Sequence, residues 1–458
     1  MSYKNLLLSS IISLILIFSF NNSSAQQENE IEYEKVVDAQ NKLIAKNKTI
    51  TFKQILENTF VNNDSINAER EKTKAVESQK LKVLGANALP NIGAEVGYGQ
   101  TDFKQRMAIT TLKDTGSTNY NKIYLQEPIF KSGRTVAQLN MINSQIDMQR
   151  NKLSQVEQQV VFDAISITID MLQAKEILDL TIKNEESLKS NYEYALARRK
   201  VGRTTITDLY LAKARYNSAK TDTISARTKF LDAESNFLRI TKIDPKLINV
   251  NLETIFNNCF NYDLLFDTVV ETALLKNPGY QMAKDNYNMN KSNLNYAKTK
   301  FLPELYLNAQ IQNSDNTDLI SSRDASIGLN LKIPLFQSGT EYASHREAGH
   351  LLNESKFTLN DVKDVLLNKC FGMFDDFFSS KSAVMSSKTY RDSAKIALKN
   401  TIVEEGIGKA TLVDVLDRRK EYFNTEISYL KYKTTVIKSY YSLKLIMGEL
   451  NLTDLFNY

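Results

Sequence analysis

Proline and glycine are scarce in this chain, six and fifteen among 458 residues. A compact α/β enzyme needs many turns, so the scarcity argues against one and points to long uninterrupted elements. Cysteine is scarcer still, and Cys259 and Cys370 form no framework spacing. They could pair in an oxidising compartment, but Cys370 lies in a helical pattern, and two buried free thiols fit better. The two histidines, His345 and His350, stand five apart and so do not share a helix face. They read as surface residues, not metal ligands. No nucleophile–base constellation, phosphate loop or metal-ligand spacing occurs, so the chain reads as a non-enzyme without a cofactor. Tryptophan is absent, and the net charge of +5 is too small to argue for nucleic acid. After Ala25 no stretch approaches ~20 apolar residues, so no helix is expected to span a membrane, and any insertion would need a β-barrel.

What is present begins with a leader. A short charged start, Met1 to Lys4, precedes an apolar run from Leu6 to Phe20 and then Asn21-Asn22-Ser23-Ser24-Ala25. Residues 1–25 read as a secretory signal with a small-residue cleavage site; a membrane anchor is the alternative, but the run is short for a span. No cysteine follows that site, so no lipid attachment is expected there. Residues 26–49 read as a polar tail.

The rest is a duplication. Repeat 1, residues 50–242, opens with an amphipathic helix from Phe52 to Val61 and a second helical stretch ending at Leu89-Pro90. Alternating apolar residues predict strands at 91–99 and 120–130, joined by a polar loop over 100–118. The second strand leaves through Glu127-Pro128-Ile129-Phe130-Lys131-Ser132-Gly133. A helical hairpin follows over 134–242, with its tip at 199–208. A linker, 243–259, leads to repeat 2, residues 260–458. That repeat shows Leu302-Pro303, strands at 304–312 and 326–336, a polar loop over 313–324, and the exit Ile333-Pro334-Leu335-Phe336-Gln337-Ser338-Gly339. Its hairpin covers 340–448, with the tip at 405–414. Pro128 and Pro334, Gly133 and Gly339, Gly202 and Gly408 are each 206 residues apart.

The hairpins carry heptad seams. In repeat 1 the descending helix shows Leu139, Ile142, Ile146, Leu153, Val156 and Val160, and the returning helix runs Leu209, Ala212, Tyr216, Ala219, Thr223, Ala226, Phe230, Ala233, Phe237, Ile240. Val415 to Ile446 repeats that series 206 residues later. A second row, Ile224, Leu231 and Leu238, recurs as Leu430 and Ile437 after Phe423. Two apolar rows require neighbours on two sides, which one hairpin cannot supply. Four strands cannot close a wide barrel either. Both facts predict several copies in a closed ring, with a β-barrel at one end and a barrel of helices continuing it.

At each tip a glycine ends the incoming helix, because glycine enters the left-handed region at low cost. Thr205/Asp208 and Thr411/Asp414 have capping-box spacing. Asp208 and Asp414 therefore read as caps, with pore lining as the alternative. Asp417 lies a turn deeper, and its repeat partner is Leu211, so capping does not account for it. It reads as a pore residue or as a solvated surface acid.

These features together resemble the TolC-type outer membrane efflux proteins. The resemblance covers about residues 50 to 450. It rests on the duplicated plan, the Leu-Pro strand starts, the Pro-x-Phe-x-Ser-Gly exits, and the tips Val201-Gly202 through Asp208 and Gly408 through Asp417. It implies a mainly α fold with a small β part: a duplicated strand–helical hairpin unit, a trimeric 12-stranded β-barrel and a long α-helical barrel. It implies a homotrimer in the outer membrane of a Gram-negative bacterium, extending into the periplasm. Such a protein is a passive exit duct in a tripartite efflux or type I secretion system. The partners implied are a periplasmic adaptor protein, an inner-membrane efflux pump or ABC transporter, and outer membrane lipid. The family's entrance aspartate falls at Asp417, whereas its locking tyrosine and arginine are Glu405 and Ala410 here. Asp417, Glu405, Asp414 and Asp208 are the pore-entrance candidates. Val201, Gly202, Arg203, Thr204, Ile407, Gly408, Lys409 and Ala410 are the adaptor-docking candidates. The basic residues Arg198, Arg199, Lys200 and Arg203 of one tip against Glu404, Glu405, Asp414 and Asp417 of the other predict charge pairing, with Arg199 facing Glu405. Two rival readings are a periplasmic adaptor, which would show one hairpin and extra β domains, and a structural coiled coil, which needs no paired strands.

Overall fold

The computed structural model describes residues 50–106, 111–316 and 320–451; the leader and the polar tail lie outside them. The chain is mostly helical with one small sheet. Helix α1, Phe52–Asn62, starts at a capping box between Thr51 and Gln54. Helix α2, Asp64–Ala88, is capped by Asn63 and leads into strands β1, Asn91–Arg106, and β2, Thr111–Phe130. Helices α3, Arg134–Lys200, and α4, Ile206–Thr241, form the first hairpin. Helix α5, Leu252–Phe260, occupies the second half of the segment read as a linker, 243–259, and runs one residue past it. Nine residues make little periodic signal, but Leu252, Ile255, Phe256 and Cys259 are all buried. Helices α6, Phe266–Lys276, and α7, Pro278–Thr299, reach strands β3, Glu304–Asn316, and β4, Ile320–Lys332. Helices α8, Thr340–Gly406, and α9, Leu412–Met447, form the second hairpin. The two descending helices both contain 67 residues, about 100 Å at 1.5 Å per residue.

The strands run longer than their apolar alternation suggested. Residues 100–106 and 111–118, expected as loop, are strand: the antiparallel β1–β2 ladder runs from Asn91 opposite Gln126 to Arg106 opposite Thr111. Likewise β3 and β4 pair as far as Asn316 opposite Ile320. Backbone groups make the ladder, so polar side chains do not end it. At the other end β4 stops at Lys332, and residues 333–336, expected as strand, lie outside it. Pro334 has no N–H to give a ladder. Pro128 is tolerated in β2 at a register shift between Pro128 and Phe130.

The sheet order is β1-β2-β3-β4, so the two repeats meet at β2–β3. One face carries Ile92, Val96, Tyr98, Ile123, Ile311, Ile327, Leu329 and Leu331, all exposed. The register puts all of them on the same pleat and sets Ile123 opposite Ile311. Residues of the opposite pleat, among them Lys122, Tyr124, Gln126, Asn308, Gln310, Ser326 and Asn330, line a shallow groove. On that pleat Gly93 and Gly97 lie under the rings of Tyr124 and Tyr120, which a Cβ at either glycine would strike. β1 and β4 end the strand order, and each has one paired edge.

The main core lies midway along the hairpins, where α1, α5 and α6 pack on α3, α8 and α9. Ile165, Ile169, Phe237, Phe377, Ile437 and Leu443 are at its centre. A smaller cluster near the tips joins Leu188, Ala195, Ala212 and Ala219 to Leu416. The second apolar rows differ between the repeats. Leu430 and Ile437 are 4% and 0% exposed, because α9 sits against both α8 and α3. Ile224, Leu231 and Leu238 are 61%, 56% and 48% exposed along α4. Cys259 and Cys370 are free and buried, and burial pushes the Cys259 thiol up to about 12. His345 is half-buried, its ring edge-on to Phe301. Among the described residues no helix is long and apolar enough to cross a membrane, and no acid, histidine or cysteine cluster could hold a metal ion.

Candidate functional site at the helical tips

Each tip is built by its glycine. Gly202 has φ +72° and Gly408 has φ +78°, a region that side chains with a Cβ enter only at a cost. The chain reversal is held by backbone bonds: Arg203 N–H donates to Arg198 O at 2.9 Å, and Lys409 N–H to Glu404 O at 2.8 Å. Open space surrounds both glycines, and Val201 and Ile407 are 67% and 64% exposed. Arg203 and Lys409 are exposed as well, with Thr204 and Ala410 half-buried beside them.

Both capping boxes form. Asp208 N–H donates to Thr205 Oγ1 at 3.0 Å, and Thr205 N–H returns to Asp208 Oδ2 at 3.2 Å. Thr204 Oγ1 also donates to Asp208 Oδ2, at 3.2 Å. In the second tip Asp414 N–H donates to Thr411 Oγ1 at 3.2 Å and Thr411 N–H to Asp414 Oδ2 at 2.8 Å. The threonine hydroxyls, donating to these carboxylates, hold both aspartates below their usual range. One carboxylate oxygen of each aspartate is thus engaged in capping the start of a helix.

Among the entrance candidates, Glu405 and Asp417 make contacts between hairpins. Arg198 of α3 pairs with Glu405 of α8, and Arg198 also lies over the Tyr194 ring at 5.2 Å. The expected partner, Arg199, instead donates to Thr204 O at 3.3 Å. Arg199 and Glu405 hold equivalent positions on equivalent helices, so they point the same way from their own hairpins. The residue that faces Glu405 is one position earlier. Asp417 of α9 pairs with Arg215 of α4 at 3.0 Å while its side chain stays 58% exposed. Sequence reading missed Arg215; its distance from Gly202, against that of Asp417 from Gly408, would have put the two near one height. It also missed Arg419, whose guanidinium reaches Ser187 and is held below the usual arginine range by burial. The four entrance candidates therefore divide into two caps and two cross-hairpin acids.

The arrangement can hold two hairpins together at a charged end. Comparison with known proteins gives the chain its relatives. The profile described as "Outer membrane efflux protein" matches residues 55–241 and 269–449. The chain is 22% identical over 404 residues to the outer membrane efflux protein BepC of Brucella suis, covering 86% of this chain and 85% of that one. It is 21% identical over 396 residues to the outer membrane protein TolC of Escherichia coli, covering 82% and 78%. In structure it is similar to a membrane protein from Pseudomonas aeruginosa, with a TM-score of 0.74 at 15% identity, covering 86% of this chain and 89% of that one.

Proposed function

From the fact that this chain belongs to the outer membrane efflux protein family, we propose that it is the outer membrane exit duct of a tripartite efflux or type I secretion system. It conducts cargo passively from an inner-membrane pump or ABC transporter and a periplasmic adaptor to the outside. The carrying observation is the sheet: four long strands with an exposed apolar face, a polar opposite face and two edge strands. Such a sheet suits lipid on one side and water on the other once copies close it. Three copies would give twelve strands.

The helices support the same ring. The exposed row on α4 needs a partner, and α8 carries exposed Phe371 and Met385. Leu238 and Ile224 lie 36 and 22 residues from Gly202; Phe371 and Met385 lie 37 and 23 from Gly408. The two rows therefore match in height, as α4 of one copy beside α8 of the next requires. In this reading Val201, Gly202, Arg203, Thr204, Ile407, Gly408, Lys409 and Ala410 dock the adaptor, and Asp417 and Glu405 line the entrance with Asp208 and Asp414 at its rim. The adaptor alternative expects one hairpin, and this chain has two.

Fractionation and planar-bilayer recording test the proposal. The expected result is a heat-sensitive trimer in the outer membrane that forms a stable conducting pore. A soluble periplasmic monomer would end the duct reading.

A further inference from the structure

The helical layer leaves a cavity where one helix takes over from another. Helix α9 ends at Met447 and α7 begins at Pro278, and both lie between α3 and α8. Asn277 Nδ2 donates to Ile446 O at 2.9 Å and joins the two ends. Beside the join is a cavity of about 600 Å³. Its floor is apolar, made by Val365, Leu366, Met373, Leu445 and Ile446. One polar group there lacks a partner. Gln158 is 2% exposed, and its Nε2 donates to Ser154 Oγ at 3.2 Å and to Gly448 O at 3.4 Å. Its Oε1 accepts no hydrogen bond among the described residues. A buried acceptor without a donor is costly, so it marks a place where an N–H or O–H of something else belongs.

Two charges flank that oxygen. Asp361 and Lys369 of α8 both line the cavity and are exposed. Gln155 and Asp361 each lie 22 residues beyond the glycine that precedes their helix, so they stand at one level. Towards the tips, Gln158 comes three residues further along α3. Lys369 comes eight residues after Asp361 on α8, about 12 Å at 1.5 Å per residue. The order along the wall is acid, orphaned acceptor, base. The cavity also faces away from α6. Phe266 of α6 meets Phe371 and Phe374 of α8 edge-on, with ring centres 6.0 and 5.4 Å apart. Val365 precedes Phe374 by nine residues, which is about two and a half turns, and so lies on the other side of α8.

We propose that this cavity binds short zwitterionic peptides with apolar side chains, and that such peptides are a class of cargo. An extended chain spans about 3.3–3.6 Å per residue, so three or four residues reach from Asp361 to Lys369. The terminal ammonium pairs with Asp361, a backbone N–H donates to Gln158 Oε1, and the carboxylate pairs with Lys369. The side chains lie on the floor of Val365, Leu366 and Met373. Binding needs only one chain. The cargo role rests on the duct reading above: in a ring, α1, α5 and α6 lie outside to leave the bore clear, which turns the cavity to the inside. A site on the wall of a conduit must hold its cargo weakly enough to let it leave.

The test uses the full-length protein in lipid nanodiscs, with trileucine as the probe and calorimetry as the readout. Trileucine should bind. N-acetyl-trileucine and trileucine amide should each bind about tenfold more weakly, the loss expected of one charge-assisted contact. Asp361→Asn should weaken trileucine to the same degree and leave the acetylated peptide unchanged; Lys369→Gln should do likewise with the amide. Val365→Trp should fill the cavity and abolish binding of all three, with circular dichroism unchanged. No binding of trileucine, or binding that none of these variants alters, overturns the site and leaves the duct intact. Octylamine that binds as tightly as trileucine and ignores Lys369→Gln overturns the peptide assignment in favour of amphiphilic amines. In planar bilayers trileucine should reduce the current through the unaltered pore and not through Val365→Trp. Binding without that reduction overturns the cargo role alone, and a protein that never conducts overturns the duct.

Discussion

Arg198 and Arg199 are neighbours with different roles. The first crosses to Glu405, and the second closes its own turn on Thr204 O. The cross-hairpin pair is partly exposed, and such pairs contribute ~0–1 kcal/mol each. Copies of it around a ring can still bias a two-state entrance by a few kcal/mol. Glu405→Arg should therefore raise single-channel conductance, and 1 M salt should do the same to the unaltered protein because screening is then strong. Unchanged conductance at both low and high salt would leave the pair a surface contact only. The caps make a different prediction. Asp208 and Asp414 are held below the usual range by threonine hydroxyls. Depressed carboxyl values stabilise the fold above the unfolded value, about 3.9, and that contribution is lost as pH falls through the folded value. Amide protection in the first turns of α4 and α9, taken as the exchange rate relative to an unstructured amide at the same pH, should thus fall as pH drops below about 4 and be flat from pH 6 to 8. Thr205→Ala should cost the first hairpin about 1 kcal/mol, read as faster exchange in the same turn. At this scale the sequence was readable where a motif is local: both boxes and both glycines followed from spacing. The partners Arg215 and Ser187 did not, because they depend on which faces of separate helices meet.

The second apolar rows decide the behaviour of whole helices. Ile437 is fully buried against the chain's own core, whereas Leu231 is 56% exposed on α4. Ile437→Ala should cost about 2–5 kcal/mol and lower the unfolding temperature of the single chain. Leu231→Asp should leave the helicity of the single chain unchanged by circular dichroism and reduce the trimer fraction in native gels. Equal effects of the two substitutions on helicity would contradict an assembly role for α4. Helix lengths were legible because heptads, caps and glycine stops agree over 67 residues. Strand lengths were not. The apolar alternation marks a face that looks apolar, while the ladder continues through polar residues to Arg106 and Asn316. Helix α5 escaped because nine residues give only two turns of signal.

For the whole molecule, the duplication was the strongest signal, since equal spacing over 206 residues fixes the order of elements without naming a single contact. It could not say which row of which repeat would be covered by its own chain. The two hairpin ends of the sheet, at 107–110 and 317–319, lie outside the described residues. In the duct reading they point out of the cell, so a cysteine at Asp318 should be labelled on intact cells by an impermeant maleimide; labelling only after lysis would reverse the orientation. Asp417 keeps most of its side chain in solvent while paired to Arg215, so Asp417→Ala should lower the cation preference of the pore in bilayers under a salt gradient.

The edge strands of the sheet and the bare row on α4 also bear on the life of the chain before assembly. In the ring reading, a lone copy crosses an aqueous compartment presenting two strand edges, a greasy sheet face and an apolar helix stripe. Those are the surfaces that make misassembled clumps, and encounters that bury them correctly need other copies. Productive ring formation then rises more steeply than in proportion to the supply of new chains, while capture by holding chaperones or degradation acts on each chain singly. Gene dosage should have a threshold: below it the protein is turned over, and above it rings accumulate.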